Sequence, residues 1–419
     1  MQGKWKRKML VVLCSIAALL LLNVSEISAE EPQKQTETEI PVEPETVIVK
    51  NPVIKLSAVD YTYNGKVQTP KVTVTDKSGK RYSSKDYKLT YSSGRKNVGK
   101  YKVKVTFRGM YKGTFTTTFQ IRPKKTTLHK TYLNGNSLVV YWKKQSSQIT
   151  GYQVQYALDQ RFKKGVKNSY VKNNSDVFQV IRNVKSSKSY VRIRTYKQTR
   201  FDGKTFNLYS DWSPVKSAVK KKVVALTYDD GPGKKTGKLL RRLEKYDAHA
   251  TFFVVGNKVS SYKSEIKKMK NIGCEVGNHS YSHPNLGSAS MSKVTSEVNK
   301  TNSRIKAITK ENVSLMRPPY GSIGSSLKKG AKMPLILWSI DTRDWQTRSA
   351  SKTISAATGK IKDGDIILMH DIHNSTIEAS MKIIPQLKKK GYEMVTVSEM
   401  AKIKGKKLRS GSRYASMKN

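Results

Sequence analysis

The sequence is poor in acidic residues: 30 Asp and Glu stand against 80 Lys and Arg in 419 residues, which gives a formal net charge of +50. Such an excess of positive charge attracts polyanions. Nucleic acid is the usual partner of basic proteins, but the sequence contains no arginine-rich stripe and no aromatic RNA-binding motif. Because the N-terminus also predicts export, as described next, an anionic cell wall or membrane surface fits better; we expect anionic cell-wall polymers as partners and no nucleic acid. A lysine-rich surface that serves only solubility is the alternative.

Cysteine is also scarce, since the chain contains only Cys14 and Cys274. Cys14 lies in the apolar run of residues 9–22, which follows a basic segment and precedes a small-residue Ile-Ser-Ala sequence. This order predicts a secretory signal peptide over residues 1–29. The run is short for a membrane span, which favours cleavage over a retained anchor. Cleavage would leave Cys274 alone, which excludes a disulfide framework and predicts a buried strand residue.

The basic bias is interrupted between residues 30 and 50, where six Glu face two Lys and three Pro are interspersed. This segment lacks apolar periodicity over most of its length, so it is predicted to be an extended linker.

Residues 51–123 alternate polar and apolar side chains in runs such as "YKVKVTF", with turns such as Tyr63-Asn64-Gly65 between them. Short strands at this spacing predict a small β-sandwich. The stretches "YTYNGKVQTPKVTV" and "NVGKYKVKVTFRGMYKGTFTTTFQI" resemble the immunoglobulin-like modules of Gram-positive surface proteins.

Residues 124–219 repeat the all-β pattern with different landmarks, "NSLVVYWKK", "YVRIRTYKQ" and "YSDWSPVKS". They resemble a fibronectin type III domain, which implies a second β-sandwich with Trp142 as its core aromatic. Neither β segment contains a cluster of histidines and acids that could carry out chemistry.

The periodicity changes over residues 220–403, where apolar runs such as "VVALTY", "ATFFVVG" and "DIILMH" alternate with helical stretches such as "KLLRRLEKY". This alternation predicts an α/β domain, a parallel sheet closed into a distorted (β/α) barrel. The predicted fold class is therefore multidomain, with two β-sandwich domains followed by this barrel. Residues 404–419 are basic, lack acids, and are expected to form a flexible tail.

In this barrel, polar side chains stand where the predicted strands end. The octapeptide "ALTYDDGP" places Asp229 and Asp230 side by side after an apolar run. Neighbouring carboxylates repel unless a cation or a proton separates their roles, although Asp-Gly-Pro also suits a plain turn. The other strand-end residues are His279, His283, Arg317, Asp341, Asp344 and His370. Because catalysis in barrels takes place at the carboxyl ends of the strands, this repetition favours a functional site.

The segment "GNHSYSHP" offers His279 and His283 four residues apart, so that both imidazoles can reach one metal ion. Such a pair alone is weak evidence, and Asp230 supplies the carboxylate that completes the set. Two histidines and one carboxylate leave open positions for water and substrate on Zn²⁺ or a similar divalent ion.

Five motifs occur in order between Thr227 and His370: "TYDDGP", "HSYSHP", "RPPYG", "DTRDW" and "LMH". They resemble the motifs of the NodB-homology polysaccharide deacetylases, carbohydrate esterase family 4. Tyr228 stands where that family usually has Phe. The resemblance implies that Asp229 is the general base, that Asp230, His279 and His283 bind the metal, and that the metal is Zn²⁺ or, alternatively, Co²⁺.

The same resemblance implies roles for the remaining strand-end residues. Arg317 would pair with Asp229, and the backbone N–H of Tyr320 would stabilise the oxyanion. His370 would be the general acid, tuned by Asp344. Trp345 and Leu368 would wall the acetyl pocket. Asp341 and His373 receive no role, and His249 is expected to be structural.

The predicted function is that of an exported, metal-dependent N-deacetylase acting on N-acetylglucosamine residues of peptidoglycan. The Asp-Asp-Gly-Pro form of the first motif fits such members of the family better than those acting on N-acetylmuramic acid. Chitin oligomers and O-acetyl xylan are alternative substrates. A non-catalytic wall-binding protein is the alternative of another class, and the presence of both aspartates and both histidines argues against it.

Overall fold

The computed structural model describes residues 45–418. The predicted signal peptide and most of the predicted linker lie outside the described residues. Among the helices of the described part, none combines the length and the apolar composition that crossing a membrane requires.

The first all-β segment contains eight strands: β1 (Val47–Ile48), β2 (Val53–Leu56), β3 (Asp60–Thr62), β4 (Val72–Thr75), β5 (Tyr87–Tyr91), β6 (Gly99–Phe107), β7 (Tyr111–Lys112) and β8 (Thr114–Arg122). Its main sheet has the order β3-β8-β6-β5, and β2 pairs with β4. The end of the predicted linker is part of this structure, because β1 pairs with β7 and Val49 is buried. The linker prediction is therefore wrong for these residues.

The second all-β segment contains β9 (Leu128–Asn134), β10 (Ser137–Trp142), β11 (Gly151–Ala157), β12 (Lys167–Val171), β13 (Phe178–Ile181), β14 (Lys188–Phe201), β15 (Lys204–Tyr209) and β16 (Lys216–Val219). A sheet of order β13-β10-β9 and a sheet of order β12-β11-β14-β15, to which β16 adds beside β14, share one apolar core. Trp142 is buried in this core against Tyr152, at 5.2 Å between ring centroids.

The α/β domain begins directly after β16. Its strands are β17 (Lys222–Asp229), β18 (Ala250–Val254), β19 (Glu275–Asn278), β20 (Leu335–Ile336), β21 (Ile340–Asp341), β22 (Ile366–His370), β23 (Tyr392–Met394) and β24 (Arg413–Tyr414). Its helices are α1 (Thr236–Lys245), α2 (Lys263–Asn271), α3 (Met291–Thr309), α4 (Ser325–Gly330), α5 (Asp344–Thr347), α6 (Ala350–Thr358), α7 (Asn374–Lys389) and α8 (Val397–Lys404). The predicted alternation of strands and helices is confirmed.

Parallel pairing runs in the order β19-β18-β17-β22-β21, and β23 pairs with the start of β17. The central strand β17 is buried from its second residue to its last, as expected for an apolar strand covered on both faces. Beyond β19 the pairing continues through one residue, Met316, which forms a parallel bridge to Asn278 at the end of β19 and another to Leu335 on β20. Arg317, the next residue, nevertheless contacts Asp229 on β17. The sheet therefore curves until its strand ends surround a common centre.

Two further features concern the edges of this domain. Cys274 is buried, as predicted, but it lies directly before β19 and not within a strand. Burial raises the pKa of its thiol to about 12. The prediction of a flexible basic tail is wrong for residues 413–418. There β24 pairs with β20, Met417 is fully buried, and its N–H donates to Gly364 O at 2.8 Å.

The α/β domain and the second all-β segment share a buried apolar cluster. Tyr132 and Tyr141, from β9 and β10, pack in one cluster with Val223, Ile366 and other core residues of the α/β domain. Polar contacts flank this cluster, and Asn134 donates to Asp363 Oδ1 at 3.1 Å. The two units are therefore joined by a continuous core.

Candidate active site

The carboxyl ends of three parallel strands bring the predicted site residues together. Asp229, the last residue of β17, is in register with His370, the last residue of β22. On the other side, His279 follows β19, and its backbone N–H donates to Val254 O, at the end of β18, at 3.0 Å. The predicted clustering at the strand ends is therefore observed.

Asp230, His279 and His283 place one potential ligand atom each within 4.8 Å of one another. Asp230 Oδ1 lies 3.4 Å from His279 Nε2 and 3.2 Å from His283 Nε2. The same oxygen is buried and receives no hydrogen bond from the residues the structure describes. Three ligand atoms that converge on one point, one of them a buried oxygen without a hydrogen bond, fit a divalent cation.

The hydrogen bonding of His279 fixes its tautomer for such a role. Its Nδ1 lies 2.6 Å from Arg317 O. A carbonyl oxygen can only accept, so Nδ1 carries the proton and Nε2 presents a lone pair to the site. Burial, together with the neighbouring His279, lowers the pKa of His283, which also favours its neutral form. Both imidazoles are thereby suited to bind a cation.

The backbone around these residues is strained. Asp230, His283 and Tyr320 have φ values of 65°, 62° and 59°. Residues with side chains avoid this left-handed region, and each such residue costs about 1–3 kcal/mol.

Glu297 on α3 holds the loop between the two histidines, because its carboxylate accepts from the N–H groups of Tyr281 and Ser282 at 2.8 Å.

Asp229 pairs with a fully buried arginine. Arg317 Nη1 donates to Asp229 Oδ1 at 2.8 Å and to Thr227 Oγ1 at 2.7 Å. The remaining guanidinium nitrogens donate to the carbonyl oxygens of Ile336 and Leu337, at 3.1 and 2.9 Å. Burial lowers the pKa of Arg317, but an arginine remains protonated at any physiological pH. Asp229 thus faces a permanent positive charge.

The burial of Asp230 opposes its ionisation, but the neighbouring His279 and His283 outweigh this effect and hold the pKa of Asp230 below its ordinary value. The two adjacent aspartates therefore have different partners, an arginine and a pair of histidines. The roles of the two carboxylates are thus separated, as the repulsion between neighbouring carboxylates led us to expect. A plain turn would not explain why each carboxylate has its own partners.

A second acid–base pair lies at the end of β22. Asp344 is fully buried and accepts from His370 Nδ1 at 2.8 Å, from the backbone N–H of His370 at 2.7 Å and from Thr376 Oγ1 at 2.6 Å. Because Nδ1–H of His370 donates to Asp344, the Nε2 atom of His370 is the one left for the cleft. Burial opposes protonation of His370, but Asp344 and the charges of Asp229 and Asp230 raise its pKa above the ordinary value.

Tyr320, Trp345 and Leu368 lie in different environments. The Tyr320 side chain is exposed, and its ring centroid lies 4.8 Å from that of His283. Trp345, on α5, is half exposed beside Asp344. Leu368 is buried on β22, where Thr342 Oγ1 donates to its carbonyl oxygen at 2.8 Å.

The residues without a predicted role divide into three cases. Asp341 is exposed and accepts from the backbone N–H of Arg343 at 2.8 Å. His249 Nδ1 lies 2.9 Å from Glu399 Oε1. Neither residue belongs to one of the five motifs, and their contact fits the expected structural role of His249. His373 contacts Arg348 beside the site.

Sequence reasoning missed Asp371, which directly follows His370. Burial raises the pKa of Asp371 to about 7. Its Oδ2 accepts from Thr236 Oγ1, and Thr236 Oγ1 in turn accepts from Gly233 N–H at 2.8 Å. A Cβ on Gly231 would lie 2.1 Å from Asp371 Oδ1. Asp371 therefore supports the loop that carries Asp230, and the only sequence signal was its place next to His370.

The donor set and the two acid–base pairs are typical of a hydrolase that uses a metal ion. A family model described as Polysaccharide deacetylase matches residues 216–334. The chain is 40% identical over 184 residues to the peptidoglycan-N-acetylmuramic acid deacetylase PdaC of Bacillus subtilis, covering 44% of this chain and 39% of that protein.

The chain is also 36% identical over 192 residues to a peptidoglycan-N-acetylglucosamine deacetylase of Bacillus cereus, covering 44% of this chain and 90% of that protein. A family 4 acetyl xylan esterase from Clostridium thermocellum, solved with a cobalt ion, is 34% identical; the match covers 46% of this chain and 98% of that one, with a TM-score of 0.45. The chain belongs to the polysaccharide deacetylase family. It spans 31–42% of the length of the first three curated relatives.

Proposed function

We propose that this protein is an exported, metal-dependent N-deacetylase that removes acetyl groups from N-acetylglucosamine residues of peptidoglycan. The observation that carries the proposal is the separation of two adjacent aspartates. Asp230 faces His279 and His283, whereas Asp229 faces Arg317. A cation site beside a carboxylate suits the metal-assisted hydrolysis of an unreactive amide.

The residues that would hold the metal are Asp230, His279 and His283. The convergent donor atoms and the unpaired Asp230 Oδ1 support this assignment. A bound divalent ion, Zn²⁺ or alternatively Co²⁺, would supply Lewis acidity that polarises the acetamide carbonyl and makes water a stronger nucleophile at neutral pH.

In this proposal Asp229 is the general base. It accepts a proton from the water that attacks the acetamide carbon, and Arg317 keeps it ionised and oriented through the 2.8 Å contact. The backbone N–H of Tyr320 donates to the oxyanion that develops as the C–O bond forms. Trp345 and Leu368 border the acetyl methyl group.

His370 is the general acid. Its Nδ1 proton is held by Asp344, so Nε2 delivers the second proton to the amine as the C–N bond breaks. The products are acetate and a free amino sugar. The raised pKa of His370 keeps the acid form populated near neutral pH, which suits an amine leaving group.

We infer the substrate from the names of the relatives and from the sequence. The matched proteins include one named for N-acetylmuramic acid and one named for N-acetylglucosamine in peptidoglycan. We infer N-acetylglucosamine because of the Asp-Asp-Gly-Pro form of the first motif. Export is inferred from the signal peptide predicted over residues 1–29, and anionic wall polymers, rather than nucleic acid, are the inferred partners of the +50 charge. The two all-β segments are proposed to be an immunoglobulin-like module and a fibronectin type III module.

The test is incubation of the full-length protein with purified peptidoglycan, followed by enzymatic digestion and mass spectrometry of the muropeptides. We expect acetyl loss from glucosamine and not from muramic acid. Chitin oligomers and O-acetyl xylan serve as parallel substrates. Faster release of acetate from xylan than from peptidoglycan would show that the protein is an esterase and that the proposed N-deacetylase activity is wrong. No release from any substrate, by metal-loaded protein, would favour a non-catalytic wall-binding protein.

A further inference from the structure

A cavity of about 940 Å³ adjoins the proposed catalytic centre. Its lining includes Pro232, Arg348 and His373. These residues lie two, four and three positions after Asp230, Asp344 and His370, respectively. The cavity is therefore built from the continuations of the loops that carry the metal ligand and the acid–base pair. Its volume is in the range of sites for small ligands.

The charge of the lining is strongly positive. Four cationic side chains, Lys234, Lys235, Lys258 and Arg348, face a single carboxylate, that of Glu378. Lys258 Nζ donates to the backbone oxygen of Asp230 at 2.8 Å, which ties the cavity to the metal-ligand loop. Lys234 and Lys235 are exposed, and neither forms an ion pair with the residues the structure describes. Their charges are available to a ligand.

The remaining polar groups of the cavity are donors as well. Arg348 contacts Nδ1 of His373. Burial and the Arg348 charge lower the pKa of His373, so Nδ1 of the neutral ring accepts from the guanidinium and Nε2–H is left as a donor. Asn374 and Ser375, at the start of the 16-residue helix α7, also line the cavity, and no side chain caps this end. Free N–H groups at a helix start favour an anion.

An apolar surface completes the cavity. Tyr262 is partly buried and Ile372 is exposed at 36% of its surface, and both contribute to the lining. Donors and cations next to an apolar surface suit a sugar that carries a carboxylate better than an inorganic ion, because the apolar atoms contact the ring and the donors bind the acid.

We propose that this cavity binds a carboxylate carried by the sugar unit next to the one that is deacetylated. The inference rests on the proposed function and names the substrate feature that the enzyme reads. In peptidoglycan, the unit next to N-acetylglucosamine bears a lactyl ether whose acid supplies such a group when it is free; where a peptide is attached, that acid is an amide and the carboxylates of the peptide supply the group. Lys234, Lys235 and Arg348 bind the carboxylate, and the sugar ring contacts Tyr262 and Ile372.

The test compares kcat/KM for two soluble glycan strands that differ only in charge, one with free carboxylates and one with the same carboxylates amidated. The wild-type enzyme should prefer the charged strand. The double variant Lys234→Gln/Lys235→Gln and the single variant Arg348→Gln should each lower this preference by about two- to fivefold, since exposed ion pairs contribute an effect of this size.

The matched control is Lys238→Gln/Lys245→Gln, which removes two charges from exposed positions of α1 that do not line the cavity. An equal loss of preference in this control would show that the charged strand is attracted by the net positive charge of the protein and not by the cavity, and would overturn the inference. So would equal rates of wild-type enzyme on the two strands. If a phosphorylated glycan has a kcat/KM as high as that of the carboxylated strand, while the amidated strand does not, the cavity binds phosphate and the proposed carboxylate specificity is wrong. An enzyme that deacetylates neither strand would instead overturn the proposed function, and this inference with it.

Discussion

Arg317 Nη1 lies 2.8 Å from Asp229 Oδ1, and both side chains are buried at the carboxyl end of the curved sheet. The guanidinium makes its other hydrogen bonds to Thr227 and to backbone oxygens, so it cannot rotate away without leaving several buried acceptors unpaired. Asp229 is therefore held in one orientation, with Oδ2 3.7 Å from His279 Nε2. The pair makes Asp229 a fixed carboxylate beside the proposed metal site.

The first prediction concerns this carboxylate. Asp229→Asn retains the shape of the side chain but removes the base, so kcat should fall by about 10²–10⁴-fold. Metal content, measured by elemental analysis, should be unchanged. Asp341→Asn, an exposed position on β21, is the control and should retain wild-type turnover. Loss of the metal in Asp229→Asn would mean that Asp229 is itself a ligand.

The second prediction concerns the metal ligands. His283→Ala leaves two donors in place of three, and metal affinity should fall by more than about 100-fold, since loss of an outer-shell partner alone costs up to that much. Chelation should abolish the activity of the wild type, and Zn²⁺ or Co²⁺ should restore it. His129→Ala, an exposed histidine on β9, should bind metal normally. Full turnover by metal-free protein would refute the assignment.

The third prediction concerns pH. Asp344 raises the pKa of His370, so the acid form persists to a higher pH than for an ordinary histidine, and activity is lost as the pH rises through that value. Asp344→Asn removes the negative charge and lowers this pKa. The alkaline limb of the kcat/KM profile should therefore move to lower pH. A limb that does not move would assign it to another group.

The fourth prediction concerns the unusual tyrosine of the first motif. The buried Tyr228 hydroxyl lies 3.0 Å from Ser380 Oγ, which also donates to Thr376 O at 2.8 Å. Tyr228→Phe leaves Ser380 satisfied and should cost no more than about 1 kcal/mol of the free energy of unfolding. Ser380→Ala leaves the Tyr228 hydroxyl unpaired and should cost about 1–3 kcal/mol. Denaturant unfolding measures both, and the reverse order would refute this account.

The fifth prediction concerns the net charge. Exposed charges are screened over about 8 Å at physiological ionic strength and about 3 Å in 1 M salt. If the +50 charge holds the protein on anionic polymers, retention of full-length protein on isolated walls should fall steeply with added salt. Walls stripped of anionic polymers should retain less protein at low salt. Retention that responds to neither treatment would mean that the charge serves solubility.

The strand-end residues could be predicted because period and polarity are local properties of the sequence. Asp229, His279 and His370 each follow an apolar run, and parallel strands place their ends at one edge. The extent of the strands was less predictable. "LMRPPY" pairs only through the isolated bridges of Met316, and "LILWSID" divides into β20 and β21, because curvature interrupts regular pairing there.

The supporting residues could not be predicted from the sequence. Glu297 lies on a helix, and nothing in its neighbours marks it as a partner of the site. Thr227 belongs to the first motif, but its position within an apolar strand does not reveal which residue it contacts. Their roles depend on contacts over long sequence separations, such as that between Thr227 and Arg317. The contact of the last residues with β20 was missed for the same reason, since a basic, acid-free segment has no local signal for pairing.

The core shared by Tyr132, Tyr141 and Val223 has a consequence for protein engineering. A cut at residue 219 follows the change in sequence pattern, yet it would open a packed apolar interior to water on both fragments. The α/β domain is therefore not a cassette that can be fused to another carrier at this point. A chimaera that keeps its solubility would have to transfer residues 124–418 together, with the second all-β segment acting as part of the enzyme's own scaffold.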